Sequence, residues 1–110
     1  MATYITIGYG DQAGYQRTSQ AARARAHAHD SKLIEMGALT GIAGNPVQVR
    51  NHEGQALETI EGKYMSTDLP IAGFAVIEAD SMEQAIELVS QTPCAVAYGV
   101  VEVWPLQTIS

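Results

Sequence analysis

"IAGFAVIEADSMEQAIELVSQTP", from Ile71 to Pro93, and "GVVEVWPL", from Gly99 to Leu106 shortly after it, decide the fold. Ala72 to Ala79 alternates in the manner of a strand, and Ser81 with Gln84 has capping-box spacing for a helix over Met82 to Val89. Met82, Ala85, Ile86 and Val89 form its inward stripe, Pro93 lies past its end, and Gly99 to Leu106 is a closing strand. The first third reads as a strand followed by a helix. "TYITIGY" (Thr3 to Tyr9) is a strand, and a helix capped by Thr18 or Ser19 runs to about Met36 with Gly37 as its stop. Its inward stripe is Ala22, Ala26, His29, Leu33 and Met36.

Between the halves, "GALTGIAGNP" is a short strand broken by glycine and proline, and "VQVRNHEGQALETI" is a hairpin with its tip at Asn51 to Gly54. His52 is a residue of that exposed turn. "GDQAGYQRTS" and "EGKYMSTDLP" (Glu61 to Pro70) are loops. Helices separated by antiparallel strands predict an α+β, ferredoxin-like two-layer sandwich, an antiparallel sheet with two helices on one face, in one domain over 1–110. If Ile5, Ile7, Ala75, Ile77, Val101 and Val103 face the helices, then Tyr4, Thr6, Phe74, Val76, Val100 and Trp104 face away. That second face is too apolar for water, which predicts a homodimer joined through the open sheet face.

Composition narrows the functions. Twelve acidic residues against six basic ones give a net charge of −6, a field that disfavours nucleic acid and anionic membrane. "MATYITIGYG" is too short and mixed for a signal peptide, and no apolar run approaches spanning length. Cys94 is the only cysteine, so no intramolecular disulfide or thiolate cluster is expected, and a buried, inert thiol in a cytoplasmic protein fits. No phosphate loop, nucleophile elbow, or flavin or nicotinamide fingerprint is present, so no cofactor is expected.

The Ile71–Pro93 and Gly99–Leu106 stretches resemble the YCII-related (YciI-like) family, also described by its DGPF motif. "YITIGYGD", "LIEMGALTGIAG" and "VQVRNHEG" resemble its opening strand, helix end and hairpin. The resemblance implies a dimeric α+β barrel and a histidine–aspartate pair in a cleft with a suspected catalytic role. The family's Asp-Gly-Pro-Phe stretch falls on Glu61-Gly62-Lys63-Tyr64, the residues after it are replaced by Ser66, Asp68 and Leu69, and an arginine before the last Pro-Leu is replaced by Trp104. The family's helix histidine falls on Ala26, one step from His27 and three from His29.

A histidine–carboxylate pair suits acid–base work, because the carboxylate fixes the tautomer and stabilises the cation. Asp30 cannot serve His29, since sequence neighbours on a helix point about 100° apart. The candidate catalytic pair is therefore His29 with the family-matched Glu61, and the candidate substrate-binding residues are Tyr64 and His27. Left to itself, His27 reads as solvated and unpaired, with the Arg23 charge four residues before it. His27 and His29 diverge on the helix, so no metal site is expected. These residues lead to a cleft protein binding a small organic molecule, with acid–base chemistry on it. The alternative is a non-catalytic binding or interaction module with a degenerate site.

Overall fold

The computed structural model describes residues 1–107; residues 108–110 of the expected domain lie outside the described residues. Six strands and four helices follow in the order β1 (Ala2–Tyr9), α1 (Gln12–Arg17), α2 (Gln20–Glu35), β2 (Leu39–Ile42), β3 (Val47–Asn51), β4 (Leu57–Glu61), β5 (Ile71–Ala79), α3 (Met82–Val89), α4 (Pro93–Val96) and β6 (Val100–Pro105). The chain is α+β, with a four-stranded antiparallel sheet ordered β2-β5-β1-β6 and a separate β3-β4 pair.

The caps sit where the sequence puts them. Ser19 accepts from the Ala22 amide at the start of α2, and Ser81 accepts from the Gln84 amide at the start of α3. Gly37 takes a φ of 103°, the left-handed conformation that ends α2. Two further helices occupy the stretch expected to be loop after β1 and the stretch past the end of α3 to which the sequence assigns no element. Asp11 caps α1 by accepting from the Gly14 amide, and Pro93 opens α4, where its missing amide proton costs nothing.

Register fixes which side chains face the helices. Tyr4 stands opposite Ile77, Thr6 opposite Ala75 and Val103, and Gly8 opposite Val101. Tyr4 packs with Ile77, Ala79, Ala85 and Val89 in the core between the sheet and α3. The expected facing of β1 is thereby reversed: Tyr4 and Thr6 point inward, and Ile5 and Ile7 point to the open face. Both alternations of β1 carry apolar residues, so alternation could not choose. Space does, because the near-zero exposure of Ala79 and Ala85 marks small side chains that leave room for the Tyr4 ring. Two stripe residues are likewise corrected: Met36 and Ile86 are exposed, while Ala26 and Leu33 carry the burial of α2.

The opposite face presents Ile5, Ile7, Leu39, Phe74, Val76 and Trp104, with Phe74 48% and Trp104 54% exposed. Tyr9 lies beside Glu102 and donates its hydroxyl to that carboxylate. This hydrogen bond, then burial, then the carboxylate charge push the Tyr9 phenol above its ordinary range.

The β3-β4 hairpin is an arm. Its strand residues are exposed or half-exposed, Val49 and Leu57 at 65% and 70%. The radius of gyration is 16.0 Å, against about 13 Å for a compact domain near this size. At the tip, Glu53 and Gly54 both take positive φ, 58° and 71°, and His52 is exposed there, in line with its reading as a turn residue.

Candidate functional site

The helix α2 presents three polar side chains to different surroundings. Ala26 and Leu33 hold it down against neighbouring elements, so residues on either flank of that line are steered apart by the 100° step. His27, Asp30 and Leu33 line a cavity of about 400 Å³ beneath the helix. Its floor is the inward sheet face, with Thr6, Thr40, Ala75 and Ile77, and its far wall is Val89, Thr92 and Cys94 from the α3–α4 region. The volume lies within the range of small-molecule sites, and the walls are mainly apolar with a few hydroxyls converging.

His27 does not stand alone. Its Nε2 shares a hydrogen bond of 2.9 Å with the Tyr15 hydroxyl, and the two rings meet edge to face at 5.9 Å. His27 is exposed, as expected, but the expectation that it is unpaired is corrected: α1, which lies where the sequence predicts a loop, carries Tyr15 to it. Arg23 does not act through repulsion alone, since its guanidinium lies 5.0 Å from the Tyr15 ring centroid. Arg17 is similarly placed 3.9 Å over the Tyr98 ring.

Cys94 reaches the cavity because Gly8 has no side chain. A Cβ on Gly8 would lie 2.8 Å from the Cys94 Sγ. Burial, and secondarily the Asp30 charge, push the Cys94 thiol above its ordinary pKa, so it stays protonated at neutral pH. The same coupling places Asp30 and Cys94 in one electrostatic environment.

His29 sits elsewhere. Its Nε2 donates to the Leu88 carbonyl at 2.6 Å, tying α2 to α3. Glu61 and Tyr64 belong to the arm and the loop after it. Glu61 is exposed at the end of β4 opposite Val47, and Tyr64 is 79% exposed with the Arg50 guanidinium 5.7 Å from its ring. Among the described residues, no hydrogen bond joins His29 to Glu61, and the two line different depressions. Within one chain the structure brings His27 and Asp30 into one cavity and does not bring His29 and Glu61 into one.

His29 in this position predicts a stability role. His29→Ala should lower unfolding free energy by about 1–3 kcal/mol, because it leaves a half-buried carbonyl without its donor. Ligand affinity at the cavity should change less than about twofold. Urea unfolding beside a binding titration checks both, and a large affinity loss at unchanged stability would reverse the assignment.

A family model for the YCII-related domain matches residues 2–109. The chain belongs to the YCII-related family. No curated protein matches it. In this YCII-related chain the pair missed by sequence reasoning is His27 with Asp30. The signal was present, since residues three apart share a helix face, but Asp30 was weighed only against its neighbour His29. Thr6, Thr40 and Thr92 carried no signal, because single threonines in strands and caps have ordinary structural uses. Among the described residues no three of His, Cys, Asp and Glu converge as a metal-binding group, and no helix is long and apolar enough to cross a membrane.

Proposed function

We propose that this protein binds a small organic molecule in the cavity under α2 and carries out acid–base chemistry on it. His27 is the proton-transfer group in this reading, and Asp30 is the carboxylate facing the same space. The observation that carries it is the shared cavity: a histidine and an aspartate one helical turn apart, opening into an apolar chamber floored by threonine hydroxyls. Tyr15 engages Nε2, which leaves Nδ1 as the nitrogen able to exchange a proton with a ligand. His27 is exposed and Asp30 half-buried, so both groups are accessible to an entering ligand.

A second reading, a non-catalytic binding module with a degenerate site, is favoured by one observation. The family-matched Glu61 and Tyr64 stand on the arm outside the cavity lining. A pairing of His29 with Glu61 requires contact between chains, with the arm of one copy reaching the α2–α3 seam of another.

The finer architecture belongs to the same proposal. The strand order β2-β5-β1-β6, with helical connections after β1 and β5, supports a ferredoxin-like sandwich. The open apolar face supports its closure into a dimeric α+β barrel, and a lone cysteine held as a thiol supports a cytoplasmic setting.

The test is a thermal-shift screen of small aromatic metabolites, with amines, alcohols and carboxylates represented, repeated on Ala75→Leu and His27→Ala. Ala75→Leu fills the cavity floor and should abolish stabilisation by any hit; His27→Ala should remove turnover of a substrate while sparing much of its binding. A hit whose stabilisation survives Ala75→Leu places the site elsewhere. Turnover that survives His27→Ala removes His27 from the proton-transfer role, and a cavity ligand that is never turned over leaves the binding module standing.

A further inference from the structure

We propose that the cavity selects small, largely apolar molecules bearing an amine or another cationic hydrogen-bond donor, held by Asp30, and turns away carboxylates and phosphates. This rests on the cavity being the binding site and adds the chemical class of what it takes.

The argument begins with charge. Asp30 is the one carboxylate in the lining, and neither lysine nor arginine lines the cavity among the described residues. His27 is the only lining group able to become cationic, and its Nε2 is already engaged by Tyr15. Of the basic residues near it in sequence, Arg23 lies over the Tyr15 ring and Arg17 over the Tyr98 ring, while Arg25 and Lys32 line a separate depression beside His29. An anion entering this chamber would therefore meet a like charge with no fixed counter-charge, in surroundings poorer in water than the surface. The net charge of −6 opposes it further.

A cation meets the reverse. Asp30 is half-buried on the cavity side of α2, and its charge reaches Cys94 across the chamber, where it helps hold the thiol protonated. Neither lysine nor arginine competes for that field inside the lining. An ammonium placed there gains a charge-assisted hydrogen bond with Asp30. Its remaining protons can be met by the hydroxyls of Thr6, Thr40 or Thr92, while Leu33, Ile77 and Val101 take the apolar body.

The experiment uses three probes of nearly one shape: benzylamine, benzyl alcohol and benzoate, each titrated into the full-length protein at neutral pH and physiological salt. Binding is read from amide chemical-shift changes at Asp30, Thr40, Thr92 and Cys94. Benzylamine should bind about tenfold more tightly than benzoate, with benzyl alcohol between. Asp30→Asn should remove that advantage. A ranking with benzoate equal or first overturns the class, while shifts confined to the cavity residues still support the site. An amine preference unchanged in Asp30→Asn overturns the role of Asp30 and points to the net charge of the chain instead. Absence of shifts at these residues with every probe overturns the cavity reading and this inference with it. The wild-type ranking decides the class even where the variant folds poorly, and Asp30→Ser supplies a second neutral replacement.

Discussion

Gly99→Ala is expected to destabilise the protein by about 3–5 kcal/mol, among the largest effects a single methyl group can have. Gly99 joins the turn after α4 to β6. A Cβ added there would collide with the Tyr9 carbonyl and lie 2.5 Å from the Cys94 carbonyl. Both obstacles are backbone. Neither can swing aside, because Tyr9 is paired with Val100 in the sheet and Cys94 accepts the Gly99 amide. Relief would require β6 to part from β1 at its first pair, or α4 to unwind. Against a total stability of about 5–15 kcal/mol, the loss should lower Tm by more than about 12 °C for a chain of this size. Gly44→Ala is the control, since a Cβ there meets nothing within 4 Å and the backbone is not in the left-handed region. Circular dichroism melts of the two variants decide the point. A Gly99→Ala Tm within 3 °C of wild type, on the scale of roughly 4–8 °C per kcal/mol, would show that the turn relaxes cheaply.

That collision was invisible in the sequence, although the elements around it were not. The helices α2 and α3 announced themselves through Ser19, Gly37, Ser81 and Pro93, because cap chemistry is local and needs no knowledge of the rest of the fold. The hairpin arms were equally plain. Helix α1 escaped because six residues with Gly14 near their centre show no periodicity, and Asp11 was the only sign of it. The facing of β1 escaped for another reason. Tyr4, Ile5, Thr6 and Ile7 give two alternations of similar apolarity, and only pairing with Ile77 and Ala79 selects one. At the site the same limit appears at finer scale. Two steps along α2 turn a side chain by about 200°, so the exchange of His29 for His27 moves the site to nearly the opposite side of the helix. It replaces a histidine that ties two helices together with one that faces the cavity. The partner residues Thr6, Thr92 and Cys94 come from elements distant in sequence, and no local pattern joins them.

Phe74→Asp should convert a dimer into a monomer without unfolding the chain, and Trp104 should report it. The reasoning starts from the open face. Phe74, at the middle of the central strand β5, pairs with Ile7 on one side and Gly41 on the other, so it sits amid the apolar surface rather than at its rim. Its neighbours Val76, Leu39 and Trp104 are exposed by 38%, 72% and 54% in the single chain. Each such side chain contributes roughly 1.5–3 kcal/mol when fully buried, and a second copy can cover them all by the same patch meeting itself about a two-fold axis. The charge already on this face is provided for, since Glu102 accepts from the Tyr9 hydroxyl. An aspartate at 74 has no such donor, and the symmetry places two of them in the interface. At several kcal/mol for each unpaired buried carboxylate, the dimer dissociation constant should rise by more than about a thousandfold. Phe74 contributes nothing to the core formed by Tyr4, Ile77 and Ala85, so the monomer should keep its circular dichroism spectrum. Ile34→Asp, on an exposed position of α2, removes a comparable apolar side chain away from the sheet and should leave the dimer intact. Sedimentation velocity at micromolar concentration measures the state, and the emission of the only tryptophan should move to longer wavelength as Trp104 is uncovered. A wild-type chain that sediments as a monomer, or a Phe74→Asp variant that stays dimeric, would mean that something other than a second sheet covers this face.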